Sequence, residues 1–67
     1  MAKVMIRTDT EPPDEFRAAF SHLTVRTDTA SATLTGEVGD MHELRVVLKT
    51  LDMLGLHVTE VLTDPRG

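Results

Sequence analysis

Gly39 to Asp64 reads GDMHELRVVLKTLDMLGLHVTEVLTD, and this stretch decides the fold. Asp40 is placed to cap a helix, because its carboxylate can accept from the free amides of the first turn. Glu43, three residues on, can reach back to the cap amide as a capping box. Met41, Leu44, Val47, Leu48, Leu51 and Leu54 then recur at helical spacing and form one apolar stripe. Gly55 follows the last of them, where a helix commonly ends in a left-handed residue. The pattern predicts a helix over 40–54. Leu56-His57-Val58-Thr59-Glu60-Val61-Leu62 is rich in β-branched residues and is followed by Asp64-Pro65, so it predicts a strand. With Leu56, Val58 and Leu62 on the core face, Glu60 would point inward too. A bulge or an edge position resolves that conflict.

Working outward, Lys3-Val4-Met5-Ile6-Arg7 alternates polar and apolar as a strand does. Thr8-Asp9-Thr10 ends it with short polar side chains that bind local backbone groups. Thr10-Glu11-Pro12-Pro13-Asp14-Glu15 has the prolines and acids of a helix start. Phe16, Ala19 and Phe20 supply an apolar face of about two turns, too short to be stable without packing. Leu23 to Arg26 and Ala32 to Val38 read as two strands joined at Thr27-Asp28-Thr29, an antiparallel hairpin. In the second, Ala32, Leu34, Gly36 and Val38 share one side.

The order strand, helix, strand, strand, helix, strand implies a ferredoxin-like α+β sandwich. Its antiparallel sheet is expected in the order 4-1-3-2, with both helices on one face. One domain over 1–64 and a frayed tail at 65–67 complete the prediction. The face away from the helices should carry Lys3, Met5, Arg7, Thr24, Arg26, Thr33, Thr35, Glu37, His57, Thr59 and Val61.

The composition narrows the function. The 67 residues hold no cysteine, tryptophan or tyrosine, so the core is aliphatic and no thiolate is available. A domain this small buries only ~60% of its unfolded surface, which makes association with a second copy an attractive source of stability. The net charge of −4 is mixed along the chain, and no basic run invites nucleic acid or anionic lipid. Nor are there sheet aromatics for stacking RNA bases. The opening MAKVMIRTD lacks a signal peptide's apolar run and no stretch is long and apolar enough to span a bilayer, so the expected compartment is the cytoplasm.

Two family resemblances follow. Thr33-Leu34-Thr35-Gly36-Glu37-Val38 and Leu54-Gly55-Leu56-His57-Val58-Thr59-Glu60-Val61 resemble the BON domain, with its V-x-L-x-G-x-V hairpin strand, helix and G-V-x-x-V strand. That resemblance runs from Val25 to Leu62 and implies binding to phospholipid or another envelope surface. The full six-element order is instead similar to the ACT domain and related regulatory modules, which implies paired domains holding a small ligand between them.

Candidate sites are few. Arg-Thr-Asp-Thr occurs at 7–10 and again at 26–29. The topology brings both copies to one end of the sheet, where Arg7 and Arg26 would meet an anion with Thr8 and Thr27 as donors. Local turn chemistry is the plainer account of the same residues. Val46 and Met53, seven apart on the main helix, either widen the core face or join Met5 and Val61 in an oligomer contact. His22, His42 and His57 lack metal-site spacing, Ser21 and Ser31 lack the glycines of a nucleophile elbow, and no glycine-rich phosphate loop occurs. The expectation is a non-catalytic binding or regulatory module without a cofactor, dimeric, acting on a protein or small-ligand partner.

Overall fold

The computed structural model describes residues 2–29 and 31–64. Its elements are β1 (Ala2–Thr8), α1 (Asp14–Ala19), β2 (Thr24–Asp28), β3 (Ser31–Val38), α2 (Met41–Met53) and β4 (Val58–Asp64). The sheet is antiparallel in the order β2-β3-β1-β4, which is the expected order read from the other edge. The fold is the ferredoxin-like α+β sandwich. The expected tail at 65–67 lies outside the described residues, and β4 runs to Asp64.

α2 begins as its sequence dictates, with one difference. Asp40 Oδ1 accepts from the Glu43 amide at 2.8 Å. Glu43 returns not to the Asp40 amide but to that of Gly39, at 3.3 Å. Its carboxylate also lies 3.7 Å from His22 Nε2, so one side chain ties the helix start to the segment after α1. The other end closes in a Schellman arrangement. The Leu56 amide donates to the Leu51 carbonyl and the Gly55 amide to that of Asp52, each at 3.0 Å. Gly55 has φ of 85°, which lacks a steric cost only without a Cβ. Leu56 and Leu51 are both buried, which supplies the apolar contact that accompanies this motif.

Helix and sheet enclose one core. It joins Val4 and Ile6 of β1, Leu34 and Val38 of β3, Phe16 of α1, Leu44, Val47 and Leu51 of α2, with Leu23 and Leu56 from the connections. α1 is only six residues and has no side-chain N-cap bond, so its burial of Phe16 holds it in place. An ion pair between Arg17 and Glu11 spans its start. Phe20 packs against Phe16 with the rings tilted and their centroids 4.8 Å apart. Gly36 is where the connection from α1 crosses β3: an added Cβ would lie 2.6 Å from Leu23 Cδ2 and 3.2 Å from the His22 carbonyl oxygen. β2 accordingly starts at Thr24, with Leu23 serving as a plug against the glycine.

Three expectations about faces are corrected. Met41 and Leu54, the ends of the α2 stripe, are exposed rather than part of the core. Val46 and Met53 do not widen the core; at 41% and 76% exposure they stand on the side of α2 turned away from the sheet. The third correction concerns β4. Its register against β1 slips between Arg7 and Thr8, so that Arg7 faces Glu60 while Thr8 faces Val58. Thr59 is the extra residue of a bulge, and its hydroxyl donates to the Arg7 carbonyl at 3.3 Å. Beyond it Val61 stands opposite Ile6, on the helix side, and Leu62 opposite Met5, on the open side. Val61 is therefore not on the open face, and His57 lies before the strand.

Candidate interaction surface

The open face of the sheet is a grid of short rows. Lys3 lies between Glu37 and Asp64; Met5 between Thr35 and Leu62, with Thr24 beyond Thr35; and Arg7 between Thr33 and Glu60, with Arg26 beyond Thr33. Arg7 and Arg26 are thus two strand spacings apart, ~10 Å, flanking one threonine. Arg7 Nη1 lies 3.8 Å from Glu60 Oε1 in a half-exposed pair.

The sheet divides the anticipated anion site. Thr8 and Thr27 both pair with Ala32 and so occupy the helix side, opposite to the arginines. Thr8 is wholly buried, and its hydroxyl donates to the Thr10 carbonyl at 2.7 Å. Asp9 accepts from the His57 amide and donates its own amide to the His57 carbonyl, both at 3.0 Å. The first Arg-Thr-Asp-Thr thus serves to fasten β1 to the entrance of β4. A depression of about 330 Å³ does lie between the two turns, but Asp9, Glu11 and Asp28 line it together with threonines, a polarity opposed to anion binding. Among the described residues no group of three or more His, Cys, Asp or Glu is placed to hold a metal ion. None of their helices is long and apolar enough to cross a membrane.

Exposed apolar side chains lie in two places: on α2, at Met41, Val46, Met53 and the cap residue Leu54, and along the β4 rim, at Val61 and Leu62. Thr59 to Asp64 are exposed throughout, and Val58 is half-buried. Val61 and Leu62 show 38% and 52% of their surface on opposite faces of the strand. Two hollows border it on the helix side. One, about 230 Å³, lies among Val4, Val38, Met41, Leu44 and Thr63. The other, about 400 Å³, lies among Leu48, Asp52, Leu56, Val58 and Val61. Both open on the flank of α2 that carries Met41 and Leu48, so helix and edge strand form the two walls of an apolar margin. Of the four residues that the sequence offers for an oligomer contact, Met5 is half-buried on the open face, Val46 and Met53 stand on the outward side of α2, and the bulge moves Val61 to the helix side while Leu62 takes the open side. The conflict over Glu60 was the signal that a slip was present.

The family described as Domain of unknown function (DUF8691) matches residues 3–62, from β1 through Leu62 of β4. The chain belongs to the DUF8691 family. The match reaches into all six elements and takes in the bulge and β4 as far as Leu62. No curated protein and no solved structure matches the chain.

Proposed function

We propose that this DUF8691 chain is a non-catalytic association module that works as a homodimer and presents the joined surface to a protein or small-ligand partner. The observation that supports it is β4, an edge strand exposed on both faces with an apolar residue on each. Free edge amides and carbonyls pair readily with another chain; the bulge, Glu60 and Asp64 blunt β4 in part, while Val61 and Leu62 keep an apolar stretch on its exposed length. Size argues the same way: so small a domain gains from any apolar area that association removes from water. The reactive side chains support binding over catalysis. Arg7 is paired with Glu60, the Asp9 carboxylate accepts from the His57 amide and the Glu43 carboxylate from the Gly39 amide, so each already has a partner within the fold.

Light scattering across a concentration series tests the reading. The expected result is a rise in mass from one chain toward two between roughly 1 μM and 1 mM, the range of modest interfaces. A single-chain mass at every concentration removes the dimer and the reading with it.

A further inference from the structure

We propose that two copies join edge to edge through β4, antiparallel about a two-fold axis at Val61, giving one continuous eight-stranded sheet. The inference rests on the dimer reading above and specifies its interface.

The two edges of the sheet are unequal. β2 is five residues, polar apart from a half-buried Val25. β4 is seven residues and exposes Val61 and Leu62. Edge pairing about an axis normal to the sheet covers both at once, because it brings helix side to helix side and open side to open side. A second copy is therefore the natural occupant: it carries the same alternation and satisfies the same row of backbone groups.

Charge selects the register. Centring the axis on Glu60 sets that carboxylate directly against its own copy. Centring it on Leu62 sets Glu60 directly against the second copy's Asp64. Like charges directly opposite destabilise a strand pair. Centring on Val61 avoids both: Val61 meets Val61, Glu60 meets the second copy's Leu62, and Thr59 comes beside Thr63, a pairing of hydroxyls that is favourable in sheets. Glu60 also keeps Arg7 of its own chain beside it, so no bare carboxylate enters the seam. Pairing stops at the Thr59 bulge, which twists the remaining edge away.

The absence of cysteine from the chain makes the test direct. Residues opposite each other in an antiparallel pair have Cα atoms ~4.5–5.5 Å apart, within the reach of a disulfide. Val61→Cys, on mild oxidation of the full chain, is expected to give a covalent dimer at concentrations where the parent is dimeric. Val46→Cys, on the outward side of α2, is expected to stay single. As a second measure, Val61→Lys sets two ammonium groups in opposition and is expected to weaken dimerisation about tenfold or more. Leu62→Lys instead faces Glu60 and leaves it intact. A parent dimer that Val61→Cys fails to trap, or that Leu62→Lys disrupts while Val61→Lys does not, overturns the β4 seam and leaves the dimer reading standing. A parent that is monomeric throughout ends both.

Discussion

Asp9 and His57 are 48 residues apart in the chain, and they clasp each other through two hydrogen bonds of 3.0 Å, amide to carbonyl and amide to carboxylate. The clasp sits just past the bulge, where the regular ladder between β1 and β4 has ended. Removing the carboxylate in Asp9→Ala leaves the His57 amide without its partner and should cost about 1–2 kcal/mol. Asp28, the corresponding residue of the second Arg-Thr-Asp-Thr, is exposed at the end of β2. Asp28→Ala should stay within about 0.5 kcal/mol of the parent. Urea unfolding of the two variants checks the contrast, and equal losses would contradict it.

Gly36→Ala tests the place where the connection from α1 crosses β3. The new methyl meets Leu23 Cδ2, which can move, but also the His22 carbonyl and Leu23 Cα, which are backbone. The expected loss is about 1–3 kcal/mol, the range for overpacking a filled site. A Gly36→Ala protein as stable as the parent, with Leu23 unmoved in its side-chain NMR signals, would refute the crowding.

At the end of α2 the cost is conformational rather than steric. Nothing lies within 4 Å of a Cβ on Gly55, yet its φ is 85°. Gly55→Ala should lose about 1–2 kcal/mol through the left-handed backbone alone. Gly39→Ala meets only the flexible Glu43 carboxylate at 4.0 Å and carries no such backbone demand. It should change stability by about 0.5 kcal/mol or less. Thermal unfolding of the pair separates the two causes.

Leu51 and Met53 stand two residues apart on α2 with opposite surroundings, one wholly buried and the other 76% exposed. Leu51→Ala should cost about 2–5 kcal/mol, which in a domain this small threatens folding itself. Met53→Ala should be nearly neutral for the fold. A large loss at Met53 in chemical unfolding at low protein concentration would mean that the outward side of α2 is covered.

Arg7 and Glu60 form an exposed pair at 3.8 Å, with about half of each side chain in solvent. Arg7→Ala and Glu60→Ala should each shift stability by about 0.5 kcal/mol or less. Because Thr8 is buried on the other side of the sheet, Arg7→Ala should also leave phosphate binding by calorimetry unchanged from the parent. A clear loss of phosphate heat in that variant would restore an anion site on the open face.

Local chemistry was readable wherever its partners are close in the chain. The capping residue Asp40, the apolar repeat Leu44-Val47-Leu51, Gly55 after the helix and the alternation of β3 each act within a few residues, so the six elements and their sheet order could be derived from the chain alone. What tertiary structure decided depends on contacts between distant segments. The slip at Thr59 exists only against β1, and it alone sends Glu60 toward Arg7, Val61 to the helix side and Leu62 to the open side. The two Arg-Thr-Asp-Thr copies are identical as strings, yet β1 lies inside the sheet and β2 at its edge. One threonine is therefore wholly buried and one aspartate fastened to His57, while their counterparts stay in solvent. A pattern of period two specifies which residues share a side only until an extra residue intervenes, and the place of that residue is set by the neighbouring strand.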